Sequence, residues 1–265
     1  IESDALVYTM IPVYSHAAWR GQIKRLRIAF ANPAPDAQVT LHSFFSQYDT
    51  RHNINGSNFV RGCAKYFWWT GDTEFLRSQI DRMRAALRYV MTEHKALSEN
   101  VVDVSSWWGH EGRSGLAFDA DGTKRILAGE GVGNNYWDLL PFGGRDCYAT
   151  VHYFDALNAM EKIERGILAH PEWRITPGEG LFAPDALAGH AARVKETGNR
   201  LFWNDTTGRL AASVDVDGKQ YDFGFTFLNL EAIAYHFATD DHATSIMSWI
   251  TGDRIVEGDT AQGAD

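Results

Sequence analysis

The segment NGSNFVRGCAKYFWWTGDTEFLRSQIDRMRAALRYVMTE, residues 55–93, decides the fold because apolar residues recur with helical spacing on both sides of a single break. This spacing predicts one helix over 55–69 and a second over 73–93. The break, Thr70-Gly71-Asp72, is typical of a helix end followed by a new helix start. The segment therefore predicts a helical hairpin. Its periodic apolar residues are Phe59, Cys63, Tyr66, Phe67, Phe75, Leu76, Ile80, Met83, Leu87 and Val90.

Two further helix pairs follow the first. The pattern predicts one pair over 145–168 and 184–203 and another over 225–237 and 241–249. Between these pairs, residues 205–222 predict a β-hairpin that turns at Asp217-Gly218. Repetition of one unit indicates a ring or solenoid of hairpins whose equivalent loops gather on one face.

Two stretches depart from the helical pattern. Residues 23–30 and 38–44 alternate as strands do, so residues 1–45 are expected to be the last strands of a β-sandwich or a linker, and 46–265 a helical domain. Two strands are not stable alone, so they lie against the helices or belong to a sheet completed elsewhere. Residues 96–142 predict an irregular stretch that is functional or disordered, and its tryptophans argue against disorder.

Composition excludes several classes of function. The chain has 25 basic and 34 acidic residues, a net charge of −9 and no Lys/Arg cluster, which argues against nucleic-acid and membrane partners. No apolar run approaches a membrane span, and no signal peptide is visible, so the compartment stays open. Cys63 and Cys147 lie in helical segments and are expected to be buried thiols rather than disulfide or zinc ligands.

The loop GVGNNYWDLLPFGGRD, residues 131–146, carries the chemistry. It places an acid and two amides beside aromatic rings. A sugar presents C–H faces that stack on rings, hydroxyls that amides bind, and a glycosidic oxygen that an acid protonates. The alternative is structural: Tyr136, Trp137 and Phe142 would anchor the loop and Asp138 would cap a helix.

An acidic residue recurs near the start of the first helix of each pair. These residues are Asp49, Asp138 and Asp222, each followed by aromatic side chains. If the pairs form a ring, the three acids converge on one face.

This arrangement resembles the six-hairpin, or (α/α)6-barrel, glycoside hydrolases, in the branch of family 63 α-glucosidases, debranching-type enzymes and α-L-rhamnosidases. The matching segments are residues 134–138, 222–232 and 48–53. The resemblance implies a mainly α fold, an (α/α)6 toroid-type barrel after a short β segment, and an inverting mechanism with Asp138 as the general acid. A complete barrel has twelve helices and this chain offers six, so the missing sandwich strands and barrel hairpins would be its partners.

The second carboxylate of such a mechanism is left open by the sequence. The candidates within the chain are Glu130, Glu111 and Glu231, and Glu130 is the predicted base. The true base could also be a residue outside this chain. The expected substrate-binding residues are Asp49, Arg51, His52, Trp107, Trp108, Asn134, Asn135, Tyr136, Trp137 and Asp222.

No cofactor or metal site is expected. His52, His110 and His152 lack metal-ligand spacing. Asp and Asn oxygens would suit a divalent cation such as calcium, but the sequence shows no calcium-binding loop motif. Two other functions stay open. One is a carbohydrate-binding barrel without catalysis. The other is an isoprenoid cyclase, suggested by the acidic pair Asp240-Asp241, although no third acidic residue follows at the spacing needed to bind magnesium together with this pair.

Overall fold

The computed structural model describes residues 53–104, 144–215 and 217–259, with residues 25, 27–29 and 38 and the backbone of 116–118 and 124–126. The chain divides into two compact units, residues 1–49 and 50–265. In the first unit the few described residues have no regular secondary structure, and the remainder of the two predicted strands lies outside the described residues. All helices in the described part of the chain belong to the second unit.

The described residues of the second unit form a mainly α-helical fold, as the sequence predicted. The helices are α1 (Asn55–Thr70), α2 (Thr73–Glu93), α3 (Ala96–Glu99), α4 (Cys147–Ala169), α5 (Pro184–Phe202), α6 (Thr226–Ala234) and α7 (Asp240–Ile250). Short 3-10 turns at Pro171–Trp173 and Gly180–Phe182 join α4 to α5.

Short antiparallel strands connect the helices. The strands are β1 (Leu116–Phe118), β2 (Lys124–Ile126), β3 (Arg145–Asp146), β4 (Trp203–Asn204), β5 (Arg209–Leu210), β6 (Ser213–Val214) and β7 (Gln220–Tyr221). β6 lies between β3 and β7 in a three-stranded sheet, while β1 pairs with β2 and β4 with β5. In the β6–β7 pair Ser213 is opposite Tyr221, so the chain turns near Asp217-Gly218 as predicted.

The structure corrects three predicted elements. Residues 205–222 do not form one hairpin, because β5 pairs with β4 while β6 and β7 belong to the three-stranded sheet. The stretch 96–142 contains α3 and the β1–β2 pair. α6 ends at Ala234 and does not reach Phe237. The reason is local, because His236 has a positive φ of 59° and the amides of Phe237 and Ala238 both donate to the carbonyl of Ala232, which closes the helix end.

The three helix pairs pack side by side. α1 packs against α2 and α4, α4 also packs against α2, α5 and α6, and α6 packs against α7. We call α1, α4 and α6, the first helices of the pairs, the inner helices, because each contacts the next in this order, and α2, α5 and α7 the outer helices. α4 has an inner neighbour on each side, and 15 of its 23 residues are buried.

Helix starts are fixed by side chains near the breaks that the sequence showed. Asp72 accepts from the amide of Phe75 at 2.9 Å, and Asp146 accepts from that of Ala149 at 2.9 Å. At α7 the cap is Thr239, which accepts from the amide of His242. Asp240 and Asp241 lie in the first turn of α7, where the helix dipole favours their negative charge.

Two further observations bear on function. Cys63 and Cys147 are free and buried. Among the described helices, none combines the length and apolar character that crossing a bilayer requires.

Candidate functional site

Three polar side chains meet across the inner helices, and we call Arg61, His152 and Glu231 the inner cluster. Arg61 Nη1 lies 2.7 Å from His152 Nδ1, and His152 Nε2 lies 2.7 Å from Glu231 Oε2. The residues belong to α1, α4 and α6 and are separated by 91 and 79 positions along the chain. Only the packing of three helix pairs brings them together.

Arg61 is fixed from several sides. Asn58, one turn earlier on α1, accepts from Nη1 at 2.9 Å, and Asp155 accepts from Nε at 2.6 Å. The guanidinium lies over the ring of Tyr235, 4.2 Å from its centroid. Burial acts to lower the pKa of Arg61, but Tyr235 and Asp155 outweigh it and raise the pKa, so the guanidinium stays charged.

His152 is held as a neutral ring. Burial lowers its pKa and the charge of Arg61 lowers it further, and together they outweigh the hydrogen bond to Glu231. Nδ1 lies 2.7 Å from Arg61 Nη1, which can only donate, and 2.8 Å from Asn58 Oδ1. Nε2 faces the Glu231 carboxylate, which can only accept, so the single ring proton is assigned to Nε2. This tautomer is assigned from its hydrogen-bond partners. The Nε2–H group donates to Glu231 Oε2.

Glu231 is the member of the inner cluster that reaches solvent. Its side chain is 31% exposed, whereas that of His152 is 5% exposed. Burial acts to raise the pKa of Glu231, but the bond from His152 and the charge of Arg61 outweigh it, so the pKa lies below its ordinary value and the carboxylate is ionised near neutral pH. The hydroxyl of Tyr148 approaches Oε1 at 3.5 Å, which leaves this oxygen acceptor capacity for a further donor.

A row of aromatic rings leads to the inner cluster along the start of α6. Phe223 and Phe225 have ring centroids 5.5 Å apart, and Phe225 and Phe227 have theirs 5.4 Å apart. Phe227 packs edge-on against Tyr148 at 5.3 Å, and Tyr148 packs against His152 at 4.5 Å. Phe223 is exposed at the far end. Such rings offer flat apolar faces for stacking ligands.

Besides Glu231, which was a candidate base, Asp222 is the predicted site residue that lies within the described ranges. Its carboxylate accepts from Arg209 Nε at 2.9 Å, Thr207 Oγ1 at 2.6 Å and the Gly224 amide at 2.9 Å. The side chain is 7% exposed. The contacts hold the turn that leads into α6, and a pocket of about 330 Å³ opens beside it. Its lining residues are Thr207, Arg209, Asp222, Phe223, Val256, Glu257, Gly258 and Asp259.

The other predicted site residues lie outside the described residues. They are Asp49, Arg51, His52, Trp107, Trp108, Glu111, Glu130, Asn134, Asn135, Tyr136, Trp137 and Asp138. Within the described ranges, no group of three or more His, Cys, Asp or Glu side chains is arranged to hold a metal ion.

Sequence reasoning missed Arg61 and Tyr148 and ranked Glu231 low. A signal was present, because Glu231 is the one charged residue of α6, whose other residues are Thr, Asn or apolar. His152 likewise follows the apolar Val151 within the most buried helix. Polar residues at such positions require partners, but the sequence does not show which ones.

The fold is similar to that of a solved GH78-family rhamnosidase from Bacillus sp. GL1. The TM-score is 0.52 and the sequence identity 14%, over 75% of this chain and 17% of the rhamnosidase chain. At this identity the likeness concerns the fold alone. No protein-family model and no curated protein matches the chain.

Proposed function

We propose that this chain forms part of a glycoside hydrolase that cleaves a glycosidic bond in an oligo- or polysaccharide. The observation that carries the proposal is Glu231, an ionised and partly exposed carboxylate at the end of a row of aromatic rings. It lies on an inner helix of a fold that is similar to a rhamnosidase. Rings that stack on a sugar and a carboxylate beside them are what this chemistry needs.

The proposed reaction is inverting, with Asp138 as the general acid. In that role Asp138 protonates the leaving oxygen while a second carboxylate activates water on the other face of the sugar. The two carboxyl groups of an inverting enzyme lie about 6.5–9.5 Å apart to leave room for that water. Trp137 and Tyr136, its sequence neighbours, would desolvate Asp138 and favour its protonated form.

Further helix pairs of the same protein are proposed to continue this row of helix pairs. Phe59 on α1 and Leu230 on α6 are exposed, and these two inner helices are the first and last of the row. Exposed apolar side chains at both ends of the row would be covered by such further pairs. The match to the rhamnosidase also spans 17% of that chain. Activity should therefore be measured on the longest polypeptide that the gene encodes.

The test is a screen of glycosides with unactivated leaving groups, beginning with α-L-rhamnosides. We expect hydrolysis by the wild type and a loss of about 10²–10⁴-fold in kcat for Asp138→Asn, with sugar affinity nearly unchanged. The matched control is Asp185→Asn, because Asp185 is a surface residue whose side chain is 93% exposed. A wild type that hydrolyses no glycoside would refute the proposal, and full activity of Asp138→Asn would remove Asp138 from it.

A carbohydrate-binding barrel without catalysis is the second candidate. The aromatic row Phe223–Phe225–Phe227 favours it, because stacking binds a sugar without any acid. Calorimetric binding of an oligosaccharide that the protein leaves intact would select this function.

A further inference from the structure

We propose that Glu231 is the carboxylate that activates the attacking water, and that His152 and Arg61 position it. The inference rests on the proposed glycoside hydrolase function and names a residue that this function needs. The sequence left Glu231 open as one of three candidates and favoured Glu130 as the base.

The geometry distinguishes the two oxygens of Glu231. Oε2 is held by His152 Nε2 at 2.7 Å. His152 is in turn held by Arg61, whose Nε is bound to Asp155 at 2.6 Å. Within the described ranges, the one contact of Oε1 is the long one to Tyr148, at 3.5 Å. A buried chain of hydrogen bonds thus fixes one oxygen and leaves the other able to accept a proton from water, which is how supporting residues orient a reactive group.

The surroundings suit a base better than an acid. Among the described residues, the charged or titratable groups that act on Glu231 are Arg61 from α1 and His152 and Tyr148 from α4. Asp155 on α4 and Tyr235, just after α6, act in turn on Arg61. His152 and Tyr148 face the carboxylate as donors, and the charge of Arg61 favours its ionised form. Donors and a cation favour a carboxylate over a carboxylic acid, whereas a general acid must carry its proton before the reaction begins.

The chemical step balances with water as the one added reactant. Glu231 Oε1 takes a proton from water as the water oxygen forms a bond to the anomeric carbon. The bond from that carbon to the glycosidic oxygen breaks, and the leaving oxygen receives the proton of the general acid, proposed as Asp138. Glu231 then releases its proton to solvent and the acid regains one. The net change is the addition of one water molecule across the glycosidic bond.

Two leaving groups separate the base from the acid. A dinitrophenyl glycoside needs no proton on its leaving oxygen, whereas an alkyl glycoside does. We expect Glu231→Gln to lose about 10²–10⁴-fold in kcat on both substrates. Asp138→Asn should show this loss of kcat on the alkyl glycoside alone. The matched control is Glu172→Gln, because Glu172 forms a His–Glu contact of 2.8 Å with His170 at the surface.

A pH profile tests the positioning residue. His152→Phe removes the donor to Glu231 and keeps a ring of similar size beside Tyr148 and Tyr235. The acidic limb of kcat/KM should then move toward higher pH, because the carboxylate loses the donor that favours its charge. His170→Phe, the surface counterpart, should leave the profile unchanged.

The outcomes are distinct. Wild-type hydrolysis with a fully active, folded Glu231→Gln would overturn this inference and leave the proposed function standing. No hydrolysis by the wild type would overturn both. If Glu231→Gln fails to fold, which circular dichroism would show, the profile of His152→Phe decides. An unmoved acidic limb in that variant overturns the inference, and a limb moved to higher pH supports it.

Discussion

Replacing Arg84 by Leu is predicted to destabilise the fold more than replacing its partner Glu164 by Leu. Arg84 on α2 donates from Nε to Glu164 Oε1 at 2.8 Å and from Nη2 to Oε2 at 3.0 Å. The side chain of Glu164, on α4, is 0% exposed, while that of Arg84 is 15% exposed. The two side chains therefore differ in burial. Removing one or the other should lower the free energy of unfolding by different amounts.

The magnitude follows from what remains in each variant. Without Arg84, the buried carboxylate of Glu164 keeps the amide of Gly178, at 2.8 Å, as its donor among the described residues. Leaving a buried charge without its partner costs about 3–5 kcal/mol. Without Glu164, the guanidinium keeps the carbonyl of Thr176 at 2.8 Å, Asp81 at 3.3 Å and contact with water. That loss should cost about 1–3 kcal/mol.

Equilibrium unfolding in urea, followed by circular dichroism, measures these differences. The double variant Arg84→Leu/Glu164→Leu removes both charges and should cost less than the sum of the single variants. Arg82→Leu, at an exposed position on α2, is the control and should change the free energy of unfolding by no more than about 0.5 kcal/mol. Equal costs for the two single variants, or an additive double variant, would refute the reasoning.

Three further predictions concern buried groups. Gly198→Ala should destabilise by about 1–3 kcal/mol in a thermal melt, because a Cβ there would overlap the buried ring of Phe237. Gly189→Ala should not, because a Cβ there would make an ordinary contact of 3.6 Å with Arg193 Nη1. Burial lowers the pKa of His94 from 6.5 to about 4. As the pH falls, His94 is therefore protonated in the unfolded chain before it is protonated in the folded one. Stability should fall by about 3 kcal/mol between pH 6.5 and 4, and a His94→Gln variant should show less of this loss in urea titrations at several pH values. Asp222→Ala should cost about 1–3 kcal/mol in denaturant, because the buried guanidinium of Arg209 loses one of its two carboxylate partners and keeps Asp259. An unchanged midpoint would contradict this.

The helix pairs were predictable because their signals are local. Apolar residues spaced by three or four positions mark a helix wherever one face is buried, and Gly71, with a positive φ of 65°, ends α1 as its sequence suggests. The end of α6 was not predictable in this way. It depends on a backbone conformation at His236 that the apolar pattern of residues 225–237 does not reveal.

Asp222 illustrates what a pattern of neighbours leaves open. Its position beside Tyr221 and Phe223 predicts a sugar contact, which stays a prediction. The sequence gives no sign that Arg209 and Thr207 already bind its carboxylate, because these partners approach through the β4–β5 turn.

By itself, the sequence determined the helical pairs, their breaks and the residue types available for chemistry, since spacing, capping and turn residues act within a few positions of the chain. Only the tertiary structure decided that Glu231 accepts from His152 and that Arg61 holds His152 in turn. Those contacts depend on how α1, α4 and α6 pack side by side. Helical periodicity predicts that a face is buried, but it does not specify which residue of another helix will meet it.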